Sequence, residues 1–141
     1  MFKRILVPTD ASENSRRALI KALEVARHFN AEVELFHVIN LPQYMGYFTE
    51  SYGVGISPEQ IDQIGLETLQ VTLKDIDMGD ISVVRKYILG YPAHAILEEI
   101  KRDFDLVVMG SHGHGPIAGT LLGSVTQRVL AHTNCPVLVV K

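Results

Sequence analysis

The sequence predicts an α/β fold: one doubly wound, five-stranded parallel sheet, Rossmann-like, with helices on both faces and strand order 3-2-1-4-5. Three observations carry that expectation. Apolar strand-like runs alternate with helical patterns along the chain, the signature of crossover connections in a parallel sheet. The first and fourth runs, Ile5 to Val7 and Leu106 to Met109, contain no charge and suit strands covered on both faces. The third, Ile81 to Leu89, contains Arg85 and Lys86, which mark an edge. With right-handed crossovers, the switch point falls between the first and fourth strands. Open parallel sheets bind ligands there, at the carboxyl ends of the strands.

Taken in order, Pro8-Thr9-Asp10 ends the first strand. From Ser12 to about Asn30, Ala18, Leu19, Ala22, Leu23 and Ala26 recur at helical spacing on one face. Val33 to Ile39 is the second strand. Residues 40–56 form a long connection with Tyr44, Tyr47, Phe48 and Tyr52, a length that points to function in a compact domain. Ser57, Pro58 and Gln60 give the next helix a capping box, with Leu66, Leu69, Leu73 and Ile76 on one face. After the third strand, Gly90-Tyr91-Pro92 leads into a helix with Ala93, Ile96, Leu97 and Ile100 inward. A last helix runs from Ser124 to His132, and Val137 to Val140 is the fifth strand. No repeat or composition shift divides residues 1–141, so a single domain is expected.

Composition excludes several classes. The net charge of −3 and the lack of a basic stripe argue against nucleic acid as a partner. Cys135 is the only cysteine, so there is no internal disulfide, which fits a reducing cytoplasm. The N-terminal apolar run stops at Pro8, too early for a signal peptide. No run reaches the ~20 apolar residues of a membrane span. A soluble, cytoplasmic protein is the expectation.

The chemistry concentrates in Asp105 to Thr126. A buried strand breaks into Gly110-Ser111-His112-Gly113, and Gly123-Ser124 opens a helix whose first N–H groups lack intrahelical partners. This pattern suits the ribose and phosphates of a nucleotide. Gly110 would let the ligand approach the backbone, and Gly113 would give the loop a conformation unsuited to a Cβ. A plainer reading of Ser124 with Gln127 is a capping box, and of Asp10 with Glu13 a cap for the first helix. The set is neither a P-loop, since no Gly-Lys-Ser/Thr follows, nor the dinucleotide fingerprint. His112 and His114 flank Gly113 without a nearby carboxylate, a poor metal site. His28 and His37 read as packing or solvent-edge residues, His94 and His132 as surface, and Cys135 as a small buried thiol.

Ile5-Leu6-Val7-Pro8-Thr9-Asp10, His37-Val38, Gly110-x2-Gly113-x9-Gly123-Ser124 and Cys135-Pro136-Val137-Leu138-Val139-Val140 together resemble the universal stress protein family in its ATP-binding branch. The resemblance implies an adenine-nucleotide site: ATP, or AMP or another adenylate, with Mg²⁺ or Mn²⁺ held mainly by the phosphates. Pro8, Thr9, Asp10 and Val38 would border base and ribose. Met109, Gly110, Ser111, His112 and Gly113 would meet ribose and phosphates. Gly123, Ser124, Val125 and Thr126 would hold the phosphates. His114 stands where relatives often carry Arg or Lys, so affinity for a triphosphate is expected to depend on pH or on a divalent ion.

No acid or lysine lies within 110–126, which argues for a stress-response regulator that holds nucleotide and engages a protein partner, with slow or no hydrolysis and no catalytic residues assigned. The alternative is an ATPase or nucleotidyl-transfer enzyme, but related enzymes carry paired glycines where this chain has Pro8-Thr9-Asp10-Ala11-Ser12. The unguarded Val137 to Val140 edge, with the resemblance, predicts a homodimer through that strand. The aromatic connection 40–56 would join that interface or close over the ligand.

Overall fold

The computed structural model describes residues 1–40, 57–114 and 119–141. Its elements are β1 (Arg4–Pro8), α1 (Glu13–Phe29), β2 (Glu32–Asn40), α2 (Pro58–Leu73), β3 (Val83–Gly90), α3 (Pro92–Ile100), β4 (Leu106–Gly110), α4 (Ser124–His132) and β5 (Val137–Val140). The five strands are parallel and hydrogen-bonded in the order β3-β2-β1-β4-β5. Beyond Asn40, the aromatic connection expected at 40–56 lies outside the described residues.

Burial explains the order. Ile5, Leu6 and Val7 of β1 and Val107 and Val108 of β4 are wholly inaccessible, whereas β3 has no buried residue. One core layer packs the inner stripe of α1, with Leu69 of α2, on Ile5, Val7, Val33, Leu35 and Val108. The other packs Ala95, Ile96 and Ile100 of α3 and Val129 of α4 on Leu6, Phe36, Val107 and Met109. Fully burying a leucine such as Leu19 contributes roughly 1.5–3 kcal/mol, so these two layers fix which face each helix takes.

Three local expectations are corrected. Leu66 is 52% exposed; the inner face of α2 is instead Gly65, Leu69 and Thr72, with Leu73 and Ile76 packed at its border. A buried threonine displaced the apolar stripe by one position. The N-cap of α1 is Ser12, whose hydroxyl accepts from Ser15 N, so Asp10 does not cap the helix. The N-cap of α4 is Gly123, with no side-chain cap, and Gln127 Nε2 donates to the Leu122 carbonyl instead of closing a box with Ser124. The capping box of Ser57 and Gln60 forms with both of its hydrogen bonds.

Candidate functional site

At the carboxyl ends of β1, β2 and β4 the sheet opens into a crevice of about 850 Å³. Pro8, Thr9, Asp10, Val38, Met109, Gly110, His112, Gly113, Gly123, Ser124, Val125 and Thr126 all line it. Ser111, the other residue assigned to the site, does not line it. It is buried, its N–H donates to the Val140 carbonyl, and its own carbonyl accepts from Gly123 N at 2.6 Å. Ser111 therefore shapes the loop from behind.

The β1 side is a tight turn. Ala11 sits in the left-handed region at φ 65°, a conformation costing a residue with a Cβ roughly 1–2 kcal/mol. The turn is held by Asp10, whose Oδ1 accepts from Ser12 N at 2.9 Å and from the Ser15 hydroxyl at 3.3 Å. Asp10 Oδ2 accepts from His114 N at 3.1 Å, across the switch point. Burial alone would raise the Asp10 pKa, but the hydrogen bonds from Ser12 and the nearby His114 outweigh it and leave the carboxyl below its ordinary value. His114 Nε2 lies 2.7 Å from the Asp10 carbonyl. A carbonyl only accepts, so this nitrogen carries the proton. His114 thus clasps the two halves of the crevice together and is already engaged with Asp10.

The glycines act by close approach. A Cβ on Gly110 would meet Asn14 of α1 at 2.8 Å to its Cβ and 2.9 Å to its backbone carbon, so Gly110 is required by helix packing, not by ligand approach on that side. A Cβ on Gly113 would overlap Asp10 Oδ2. Gly113 is not among the positive-φ glycines, so contact and not backbone conformation dictates it. A Cβ on Gly123 would press on His112 Cα at 3.3 Å. The loop is further fixed by Asn14 Nδ2 donating to the His112 carbonyl at 3.1 Å and by His112 Nε2 donating to the Thr120 carbonyl at 3.0 Å.

Above the loop, the first turn of α4 presents N–H groups that no side chain caps. Thr126 donates its hydroxyl to the Gly110 carbonyl at 2.9 Å, tying α4 to the end of β4, so that proton is already committed. Ser124 is exposed at the rim.

Sequence reasoning missed the α2 wall. Ile64, Glu67, Thr68 and Val71 line the crevice, as do Ala11, Ser15, Asn40 and His37. His37, taken as a packing or solvent-edge residue, is buried and borders the site. Its Nδ1 donates to the Thr9 carbonyl at 2.7 Å, and burial lowers its pKa despite that bond and the Asp10 charge. Its position in the run Leu35-Phe36-His37-Val38, a polar residue in a buried strand near the strand's end, was the available signal. Cys135 is half-buried, with burial raising its thiol pKa. Among the described residues no helix is long and apolar enough to cross a membrane.

Comparisons with known proteins agree over the whole chain. The model of the universal stress protein family matches residues 1–141. The universal stress protein MJ0531 of Methanocaldococcus jannaschii is 35% identical, covering 100% of this chain and 83% of the relative. Among solved structures, protein MJ0577 of the same organism is similar at 29% identity and TM-score 0.77, covering 100% of this chain and 96% of that one. A universal stress protein in complex with cAMP is similar at 26% identity and TM-score 0.67, covering 99% and 96%.

Proposed function

Because this chain belongs to the universal stress protein family, we propose that its crevice binds an adenine nucleotide and that the protein acts through nucleotide-dependent interactions with a protein partner, not through turnover. The observation that carries the reading is the uncapped N-terminus of α4. Its first-turn N–H groups open into the crevice opposite the Asp10 turn, with glycine at the N-cap. Free helical N–H groups favour an anion, and the helix dipole adds to the attraction. The cAMP-bound relative supports an adenylate as the occupant.

The residues present fit such a ligand. Pro8 and Val38 offer apolar faces for a base, Asp10 offers a carboxylate at the same end, and Thr9 lines it with its polar groups engaged within the protein. The backbone of Gly110, His112 and Gly113 and the first-turn N–H groups of Ser124 to Thr126 would hold ribose and phosphates. Those phosphates would in turn carry Mg²⁺ or Mn²⁺, with ATP as the favoured nucleotide and AMP or another adenylate as the alternatives. Slow or no hydrolysis follows from where the acids sit. Asp10 is held by Ser12, Ser15 and His114, and Glu67 lies on the α2 wall with Gln63 donating to it at 2.9 Å. Neither is placed against the N-terminus of α4 by any contact.

Titration calorimetry with AMP, and with ATP in the presence of Mg²⁺, tests the reading. Saturable heat with dissociation constants in the micromolar range, roughly −8 kcal/mol of binding, is expected. No heat and no thermal shift at millimolar concentrations of either nucleotide would overturn it. A cytoplasmic location belongs to the same proposal.

A further inference from the structure

Behind the Asp10 turn lies a buried set of hydroxyls that joins three elements. Thr72 of α2 is fully buried, and Thr9, Ser12 and Ser15 are each at most 7% exposed. Thr9 Oγ1 is 2.8 Å from Thr72 Oγ1 and 3.0 Å from Ser15 Oγ. Ser15 Oγ reaches Asp10 Oδ1 at 3.3 Å, and Ala11 N donates to Thr9 Oγ1 at 2.9 Å. Two backbone carbonyls compete for the same protons. Thr72 can donate to Thr68 O at 2.8 Å, and Ser15 to Ser12 O at 2.9 Å.

Each hydroxyl has one proton, so Thr9, Ser15 and Thr72 can be ordered in several ways, of which two are the extremes. In the first, Thr72 donates to the Thr68 carbonyl, Thr9 to Thr72, and Ser15 to the Ser12 carbonyl. Asp10 then receives no hydroxyl hydrogen bond and keeps only the backbone N–H groups of Ser12 and His114. In the second, Thr72 donates to Thr9, Thr9 to Ser15, and Ser15 to the Asp10 carboxylate, so three aligned hydroxyls support one negative charge. Aligned hydrogen bonds strengthen one another in a buried setting. In that ordering the charge on Asp10 is linked to the end of α2, although Thr72 itself does not line the crevice.

We propose that Thr72 is a positioning residue of the nucleotide site, setting the Asp10 carboxylate through Thr9 and Ser15 and coupling its state to α2. The proposal rests on the nucleotide reading above, but one of its measurements does not. Thr72→Val keeps the shape and removes both hydrogen-bonding functions, whereas Thr72→Ser keeps them.

In the ligand-free protein, amide exchange at Ala11 and Ser12 is expected to rise about tenfold in Thr72→Val, the loss of roughly one buried hydrogen bond, and to stay near wild type in Thr72→Ser. Affinity for AMP by calorimetry is expected to fall about tenfold in Thr72→Val and to be restored by Thr72→Ser. In an Asp10→Asn background, Thr72→Val is expected to add no further loss, because the two positions act as one unit. Unchanged exchange at Ala11 and Ser12 overturns the positioning role whatever binds, and so does a loss of AMP affinity that is equal in both backgrounds. Should Thr72→Val fail to fold, Ser15→Ala cuts the same chain one link nearer Asp10 and is read the same way. A wild-type protein that binds neither AMP nor ATP instead overturns the nucleotide reading itself.

Discussion

At the residue scale, the most informative contact is between Gly113 and Asp10. They are just over a hundred positions apart, and a single methyl group on Gly113 would collide with the Asp10 carboxylate. Gly113→Val therefore has a definite consequence. Asp10 must swing away, breaking its hydrogen bond from His114 N, while the buried core stays untouched. Adenylate affinity is expected to drop at least tenfold, and the thermal midpoint to move by only a few degrees, as for a loss of about 1 kcal/mol. Calorimetry with AMP and a melting curve separate these outcomes; wild-type affinity would show that the Asp10 clasp is irrelevant to binding. The sequence showed that glycine was needed at 113 but suggested a backbone reason. The true reason is a neighbour from the other half of the fold, which no local pattern reveals. His114 teaches the same lesson: read as a weak cation for phosphates, it is turned onto the Asp10 backbone.

At the element scale, α3 is fastened to the sheet by charge as well as by its apolar face. Lys86 of β3 donates to both carboxylate oxygens of Glu99 on α3, at 2.9 and 2.8 Å. Glu34 of β2 lies beside them, 5% exposed, with Arg4 of β1 at 4.0 Å from one oxygen and the other oxygen unpartnered among the described residues. Glu32, also near Arg4, stands at the outer rim. Burial, and then the neighbouring Glu99, push the Glu34 carboxyl up from 4.5 to about 7. The sign follows from the direction. The native state keeps a proton that the unfolded chain releases near pH 4.5, so this stabilisation is full below 4.5 and is lost as pH rises through about 7. Its size is up to roughly 3 kcal/mol. His37 works oppositely, since its lowered pKa costs stability as pH falls below its ordinary 6.5. The clean measurement is thus a difference. Urea unfolding of wild type and Glu34→Gln between pH 5 and pH 8 should show the variant gaining relative to wild type as pH rises, and a constant difference would refute the retained proton on Glu34. None of this was readable beforehand. Arg85 and Lys86 marked β3 as an edge, correctly, but Lys86 is aimed inward at an acid contributed by a helix. Gly65 is a similar case: it sits in mid-helix because the Tyr87 ring of β3 occupies the space of its side chain.

At the scale of the whole molecule, the strand order was readable because burial is graded across the sheet, and charge content follows burial. β4, and β1 with its only charge at Arg4 in the first position, suited central places and Lys86-bearing β3 an outer one, which favoured this arrangement and its switch point. The α2 wall of the crevice was not readable, because its members are scattered through a helix whose inner face is partly polar. The same gradient leaves one anomaly. β5 is an edge strand, yet Val137-Leu138-Val139-Val140 carries no charge, and Leu138 is 37% exposed. Such an edge pairs readily with another strand. A second copy of this chain offers the same edge, and pairing about a two-fold axis would run the two β5 strands antiparallel and close the sheet edge in a dimer. The hydrogen bonding within the protomer identifies the groups available. Val107 N donates to the Pro136 carbonyl at 2.9 Å and Ser111 N to the Val140 carbonyl at 2.8 Å. Even-numbered residues of β5 therefore point their backbone toward β4, and Val137 and Val139 point theirs outward. Val139→Pro removes an outward N–H, which an edge strand tolerates, and leaves the bonds to β4 in place. Light scattering on a sizing column at about 50 μM should find the wild-type protein as a dimer and Val139→Pro as a monomer with unchanged near-ultraviolet circular dichroism. A monomeric wild type, or a dimer that survives the proline, would move the interface away from β5.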